Sequence, residues 1–499
     1  MPGSRAKRLT LWSAVLGSSV VFLDGTVVNV ALPAIRADLD TGLAEQQWIV
    51  EAYLLTLGSL ILVGGSLGDI LGRRRVFVWG LVGFGVTSAL CAVAPSAVPL
   101  IVARALQGIA GALLVPSSLA LITATFPGDE RGAAIGSWTA WTGMAFVIGP
   151  LGGGALIEFV SWRWIFAINV PLVLATLWLV RAGVPESRDE QASPTIDYVG
   201  ALLASLGLAG PVFALIEQPL YGWSDPLVWV PLVAGLAMLA AFVWHERRTD
   251  HPMMPLALFR SRNFAIGNLA TLLIYGGLGA ATFYVVIFLQ QVAGYSPIAA
   301  GLALVPITIL MWLLSRRFGA LSDRIGPRLL MGLGPIVAGI GLVWTGRLGP
   351  EVNYVTDLLP GVLLFGLGLS ATVAPLTNTV LGAVPQHNAG VASGINNQVA
   401  RVAALLAIAA IGAVVAATFE SELGRGDAEP LSGGSPEVVD ASVAAYRTGL
   451  GVAGAFVVFG GVISLIGIVN PRREDARPAR DEPGAIRIAQ PCPEGRRAA

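Results

Sequence analysis

The chain is a succession of apolar runs, each long enough to cross a bilayer and separated from the next by a short polar break. A spanning helix needs about 20 mostly apolar residues. Runs of that kind lie at roughly 10–34, 48–70, 76–95, 98–126, 131–157, 163–182, 197–217 and 226–245. Six more follow at roughly 263–291, 297–318, 328–347, 356–384, 389–418 and 447–469. Hydrocarbon offers no water to bond an exposed backbone, so each run closes its hydrogen bonds internally as a helix. The expected fold is an all-α polytopic membrane protein of fourteen transmembrane helices. Composition agrees: charged residues are 12% of the chain, about half the usual quarter of a soluble protein, and mean hydropathy is +0.73.

The polar breaks orient the spans. Arg5, Lys7 and Arg8 precede the first, and Arg73, Arg74 and Arg75 separate the second from the third. Alternate breaks then carry Arg131; Arg181 and Arg188; Arg247, Arg248, Arg260 and Arg262; Arg316, Arg317, Arg324 and Arg328; and Arg472 and Arg473. The opposite breaks, such as 94–99, 217–226 and 290–297, are nearly free of basic residues, with Arg36, Arg347 and Arg425 as exceptions. The positive-inside rule then places both termini in the cytoplasm of a cell whose cytoplasmic membrane holds the chain. The basic start resembles the first part of a signal peptide, but the apolar run behind it is too long and holds Asp24, so a retained first span is expected. Formal charge is zero, which excludes a global basic field for nucleic acid. Cys91 and Cys492 form no framework, and His245, His251 and His387 lack metal-ligand spacing, so no metal is expected. No Gly-x-x-x-x-Gly-Lys-Ser/Thr loop occurs, which argues against ATP as the driver.

One pattern occurs twice. Gly65-Ser-Leu-Gly-Asp69-Ile-Leu-Gly72-Arg73-Arg74 follows the second run, and Gly319-Ala-Leu-Ser-Asp323-Arg-Ile-Gly326-Pro-Arg328 follows the tenth. Gly, Leu, Asp, Gly and Arg recur in register, as expected of two related bundles that rock about a central site. Both copies are expected in short inward loops that act in gating. There the glycines permit a tight turn, and the Asp either caps a helix or pairs with Arg across the bundles. The expected partition is an N-terminal six-helix bundle over 1–182, two inserted helices over 197–245, and a C-terminal six-helix bundle over 263–470. A disordered cytoplasmic tail over 471–499 completes it.

The Gly65–Arg74 pattern resembles the loop signature of the major facilitator superfamily. Leu23-Asp24-x-Thr26-Val-Val-Asn29-Val-Ala-Leu-Pro33 is similar to the first-helix signature of its fourteen-span drug:proton antiporters. Arg104-x-x-Gln107-Gly108 resembles the family's membrane arginine motif, and Gly149-Pro150-Leu-Gly152-Gly153 its antiporter motif. Trp162-Arg163-Trp164-x-Phe166-x-Ile168-Asn169-x-Pro171 is similar to the sixth-span signature of the same subfamily. The likeness covers nearly the whole chain apart from the tail. It departs at Ala145, where the antiporter motif usually has Gly; a small-xxx-small spacing to Gly149 survives.

Four ionisable residues lie deep in the runs: Asp24, Glu51, Arg104 and Arg401. A charge at the bilayer centre costs about 2.5–3.5 kcal/mol on insertion scales, so each is a functional candidate. Asp24 and Glu51 are candidates for carrying a proton or meeting a substrate's charge, with the permanently cationic Arg104 as neighbour. A purely structural Asp24–Arg104 pair is the competing reading. Asn29, Gln107, Asn396, Asn397 and Arg401 are possible cavity-lining residues. Gly149, Pro150, Gly152 and Gly153 are expected to bend the fifth helix or pack it closely. The resemblance implies a proton-coupled exporter of small lipophilic or cationic compounds, working without cofactor or ATP and as a monomer in the lipid bilayer. Export of one metabolite or self-made antibiotic, and a non-transporting membrane sensor, are the alternatives.

Overall fold

The computed structural model describes residues 4–126, 128–188, 197–249, 252–385, 389–424, 426 and 428–470. The tail expected to be disordered, together with His251, His387, Arg425 and Cys492, lies outside them. Among the described residues, fourteen helical stretches are long and apolar enough to cross a membrane. The first group comprises α1 (Ser4–Leu39), α2 (Leu43–Leu71), α3 (Arg73–Ala92) and α4 (Ala97–Thr125). Two broken spans complete it, α5 (Gly128–Gly143) with α6 (Ala145–Phe159) and α7 (Trp164–Ala167) with α8 (Asn169–Gly183). Helices α9 (Tyr198–Tyr221) and α10 (Pro226–Glu246) follow. The last group comprises α11 (Arg262–Gln291), the broken span α12 (Pro297–Ala303) and α13 (Val305–Ile325), and α14 (Pro327–Thr345). It ends with α15 (Leu359–Gly382), α16 (Ala389–Leu423) and α17 (Pro436–Gly467).

Several helices exceed their apolar runs. The 36 residues of α1 extend about 54 Å, against a hydrocarbon core about 30 Å thick. Arg, Lys, Leu and Ala are good helix formers, so the helix continues past the bilayer through Arg5–Arg8 at one end and Arg36–Leu39 at the other.

Lipid tails are as apolar as leucine, so helices in a membrane gain by close approach and need small residues to make it. Helix α2 meets α4 where a Cβ on Gly64 would lie 2.0 Å from the Ala112 carbonyl oxygen, and one on Gly108 would lie 2.1 Å from Thr56 Oγ1. Helices α14 and α15 repeat this in the last group, where a Cβ on Gly368 would lie 2.4 Å from the Gly334 carbonyl oxygen. Helices α1–α8 pack among themselves and α11–α17 likewise, while α9 rests on both α2 and α16. Leu208, Val212 and Ile216 of α9 cluster there with Leu405 and Ala409, and Trp48 Nε1 donates to Glu217 Oε1 at 2.7 Å.

The repeated pattern does not form loops. Gly65–Leu71 are the last residues of α2 and Arg73 already begins α3; Gly319–Ile325 likewise end α13 and Pro327 begins α14. Only Gly72 (φ 109°) and Gly326 (φ 88°) break the helices, in a backbone region that costs other residues strain. Each turn is closed by a residue three places beyond the last helix of its group. Glu186 accepts from the backbone N–H of Arg74 (2.9 Å) and Arg75 (3.2 Å), and Asn470 Oδ1 from that of Arg328 (3.0 Å). Among the described residues, neither Asp of the repeat pairs with an Arg across the bundles. Asp69 pairs with Arg73 of its own group at 2.8 Å. In the second copy Pro327 takes the place of Arg73, and among the described residues Asp323 has no such partner.

Gly326→Ala is expected to cost about 1–3 kcal/mol through backbone strain, read as a lower apparent melting temperature in detergent. The loss should persist in an Asn470→Ala background, because strain at positive φ does not depend on the Asn470 side chain. Recovery there would assign it instead to a clash with Asn470, whose Cγ would lie 2.3 Å from the added Cβ.

Candidate functional site

Asp24 lies on the inward face of α1, shared with Val20, Val27 and Ala31. Arg104 and Gln107, one turn apart on α4, both reach it. Arg104 Nη1 makes a short charge-assisted bond to Asp24 Oδ2. Asp24 Oδ1 accepts from Gln107 Nε2 at 2.9 Å and from Asn169 Nδ2 of α8 at 3.1 Å. Ser88 of α3 lies 2.8 Å from Gln107 Nε2, and Arg104 Nε donates to the Ile49 carbonyl at 3.0 Å. The guanidinium carbon sits 4.2 Å over the Tyr53 ring. Asp24, Ser88, Gln107 and Asn169 are 0% exposed and Arg104 is 1% exposed. The expected Asp24–Arg104 contact is present, but enclosed within the first group of helices. Gln107, expected to line a cavity, is instead a buried partner of both charges. Ser88 and Asn169 escaped the sequence reading. Asn169 stood within the sixth-span signature, and a polar residue there was the signal that could have marked it.

Glu51 belongs to a different place. Along α2, Gln47, Glu51, Gly58 and Leu62 share one face, turned toward α16 of the last group. Gln47 Nε2 donates to Tyr284 Oη at 2.9 Å and to the Ile408 carbonyl at 3.2 Å, and Tyr284 donates to the same carbonyl at 2.7 Å. One turn on, Glu51 is 0% exposed, and neither carboxyl oxygen has a hydrogen-bond partner among the described residues. Seven residues further, a Cβ on Gly58 would stand 3.6 Å from the Arg401 Cβ. Leu62 lies against Gly394. Glu51 and Arg401 therefore lie along one seam between the two groups, separated by two helical turns. Asn397 is exposed one turn before Arg401. Asn396 is turned away, with Nδ2 donating to Thr271 Oγ1 (2.8 Å) and Asn268 Oδ1 (3.2 Å) inside the last group, and so is not cavity-lining. Asn29 is half-buried on the other face of α1, along with Phe22 and Thr26.

The two groups are clamped at the end away from the termini. Arg36 donates to Gln291 Oε1 at 2.8 Å and pairs with Glu429 at 3.3 Å. Glu429 also accepts from the Leu43 backbone at 3.1 Å, and Gln290 Nε2 donates to the Val30 carbonyl at 3.0 Å. This explains why Arg36 stood outside the loop-charge pattern: it holds the two groups together. The Gly-Pro stretch completes the clamp. Side chains on Gly149 and Gly153 would collide with Thr26 Oγ1 (2.5 Å) and Val27 Cγ2 (1.8 Å) of α1, and one on Gly154 with the Ile298 backbone (2.9 Å) of α12. Gly301 of α12 in turn approaches the Pro150 carbonyl. Gly152 faces open space and takes no part. At the end bearing the termini, no hydrogen bond or ion pair joins the groups among the described residues. Among the described residues, polar contacts join the groups at one end of the seam and not at the other.

Comparison with known proteins follows this architecture. A profile described as Major Facilitator Superfamily matches residues 14–408. The puromycin resistance protein pur8 of Streptomyces alboniger is 34% identical over 95% of this chain and 93% of its own. The tetracenomycin C resistance and export protein of Streptomyces glaucescens is 35% identical over 82% and 76%. The multidrug resistance protein Stp of Mycobacterium tuberculosis is 35% identical over 86% and 80%. Among solved structures, a bacterial homolog of the human lysosomal transporter Spinster superposes with a TM-score of 0.68. At 16% identity, that match covers 93% of this chain and 97% of that one.

Removing one member of a buried ion pair strands the other, at a cost of about 3–5 kcal/mol. Arg104→Met should therefore lower the apparent melting temperature more than the double variant Asp24→Asn/Arg104→Met, measured side by side in detergent. At the clamp, Arg36→Ala should raise the labelling rate of a cysteine at Ile408, 3% exposed here, by a membrane-impermeant maleimide. Loss of about 1 kcal/mol of closing energy corresponds to roughly a fivefold rise.

Proposed function

The chain belongs to the major facilitator superfamily, and from that premise we propose that it exports small lipophilic compounds across the cytoplasmic membrane in exchange for protons. It is a multi-pass membrane transporter, not an enzyme. The proposed orientation has both termini in the cytoplasm, supported by the basic residues on alternate breaks. The clamped end then faces outward, and the end without such contacts is proposed to admit substrate from the cytoplasm or inner leaflet. The resistance and export functions printed in the names of its relatives support the outward direction.

The observation that carries the coupling is Glu51, a fully buried carboxyl without a partner on the seam that must open when the bundles rock. An uncompensated charge there is costly, whereas a proton satisfies it when the seam is shut and can leave when the seam parts. Asp24 is already met by Arg104, Gln107 and Asn169, which suits it to hold the first bundle in shape. One proton moving down a potential of 100 mV supplies about 2.3 kcal/mol. No nucleotide or other cofactor enters the scheme, and the monomer is the working unit.

A second reading, a dedicated exporter of a single antibiotic, is favoured by the tetracenomycin C export protein among the relatives. A panel of chemically varied compounds in a drug-hypersensitive host separates the two: broad export yields resistance to several scaffolds, dedicated export to one. In proteoliposomes, Glu51→Gln should abolish pH-gradient-driven transport yet retain substrate exchange at equal pH. Asp24→Asn should reduce both together. Equal loss of both activities in Glu51→Gln would remove Glu51 as the proton carrier.

A further inference from the structure

Of the four ionisable residues deep in the spans, three are accounted for: Asp24 and Arg104 neutralise one another, and Glu51 is sealed where the seam is shut. Arg401 is different. It is half-buried on α16, and among the described residues it makes no hydrogen bond or ion pair. Its guanidinium carbon stands 5.9 Å from the Phe22 ring of α1, across the seam. That distance sits at the outer limit of a cation–π contact, so five N–H donors are left unmatched. Gly58 leaves the opposite wall of α2 without a side chain beside the Arg401 stem. Phe22 in turn meets Trp138 edge-on at 6.5 Å. Asn397 adds an exposed amide one turn away.

Arg401 also lies at membrane depth, twelve residues into α16, or about 18 Å of rise. An unpaired cation there carries the insertion cost given above, and among the described residues no carboxylate bonds to it. A wall with a fixed positive charge and an aromatic pair, its nearest unpartnered acid among the described residues being Glu51 two turns along the seam, matches an aromatic ligand bearing one negative charge. The guanidinium fork suits a carboxylate or phenolate, and the rings of Phe22 and Trp138 suit the ligand's aromatic body.

We propose that Arg401 anchors the substrate's negative group, so that the preferred cargo is a lipophilic aromatic acid rather than a cation. This rests on the export reading above and narrows it. Exchange of such an anion outward for a proton inward moves two charges in the same electrical sense. Export of a monovalent cation for one proton would move none.

Three dansyl probes separate charge from shape: dansylglycine (anionic), dansylamide (neutral) and dansylcadaverine (cationic). Binding to the full-length protein in neutral detergent is read from dansyl fluorescence, and uptake into inside-out proteoliposomes is read with a pH gradient. Wild type should bind dansylglycine at least tenfold more tightly than dansylcadaverine. Arg401→Gln should lose that preference while binding dansylamide as wild type does, and Arg401→Lys should restore part of it. Binding of dansylcadaverine in preference, or equal loss of all three probes in Arg401→Gln, would overturn the assignment. So would displacement of dansylglycine by phosphatidylglycerol at a few lipids per protein, which would give the cation to a headgroup. Anion-selective binding without uptake of any probe would leave the anion site standing and sink the export reading.

Discussion

Hydrocarbon supplies no hydrogen-bond partner, and almost every feature of this protein follows from that. The backbone must satisfy itself, so every span is a helix. Apolar side chains gain little by leaving lipid for protein, so helices associate where small residues let backbones touch, as at Gly64 against Ala112 and Gly368 against Gly334. Charges must find partners or be used. The Asp24–Arg104 pair meets this demand most fully, drawing donors and acceptors from α1, α2, α3, α4 and α8 into one buried network.

The same demand shapes the seam between the two helix groups, with a different outcome at each level. At the clamp, polar groups are paired across the groups through Arg36, Glu429, Gln290 and Gln291. One level down, Gln47 and Tyr284 share the Ile408 carbonyl and cover Glu51, which is left unmatched. Two turns further, the seam carries Arg401, whose guanidinium carbon stands 5.9 Å from the Phe22 ring. Across the seam the groups also meet by close backbone approach, at Gly154 against Ile298 and Gly301 against Pro150.

Much of the architecture was legible because a bilayer makes length and apolarity sufficient evidence for a helix. Fourteen spans could be counted, and the repeat pointed to two related halves. The repeat was misread as loop because its Gly and Asp spacing resembles a turn, whereas only Gly72 and Gly326 actually leave the helix. Gln107 and Asn396 were read as cavity-lining because a polar residue in an apolar run looks the same whichever way it faces. Arg36 looked like noise in the charge pattern because its partner, Glu429, is nearly four hundred residues away.

By itself, the sequence determined the class of fold, the number of spans, the identity of the deep charges and the family resemblance, all properties of local composition and short motifs. Tertiary structure alone decided what each charge faces. Asp24 and Glu51 are both acids in neighbouring helices of the same run of sequence. Helix rotation turns one inward to an arginine and the other outward to the seam between the helix groups. That angle is set by packing among distant helices, which no single span encodes.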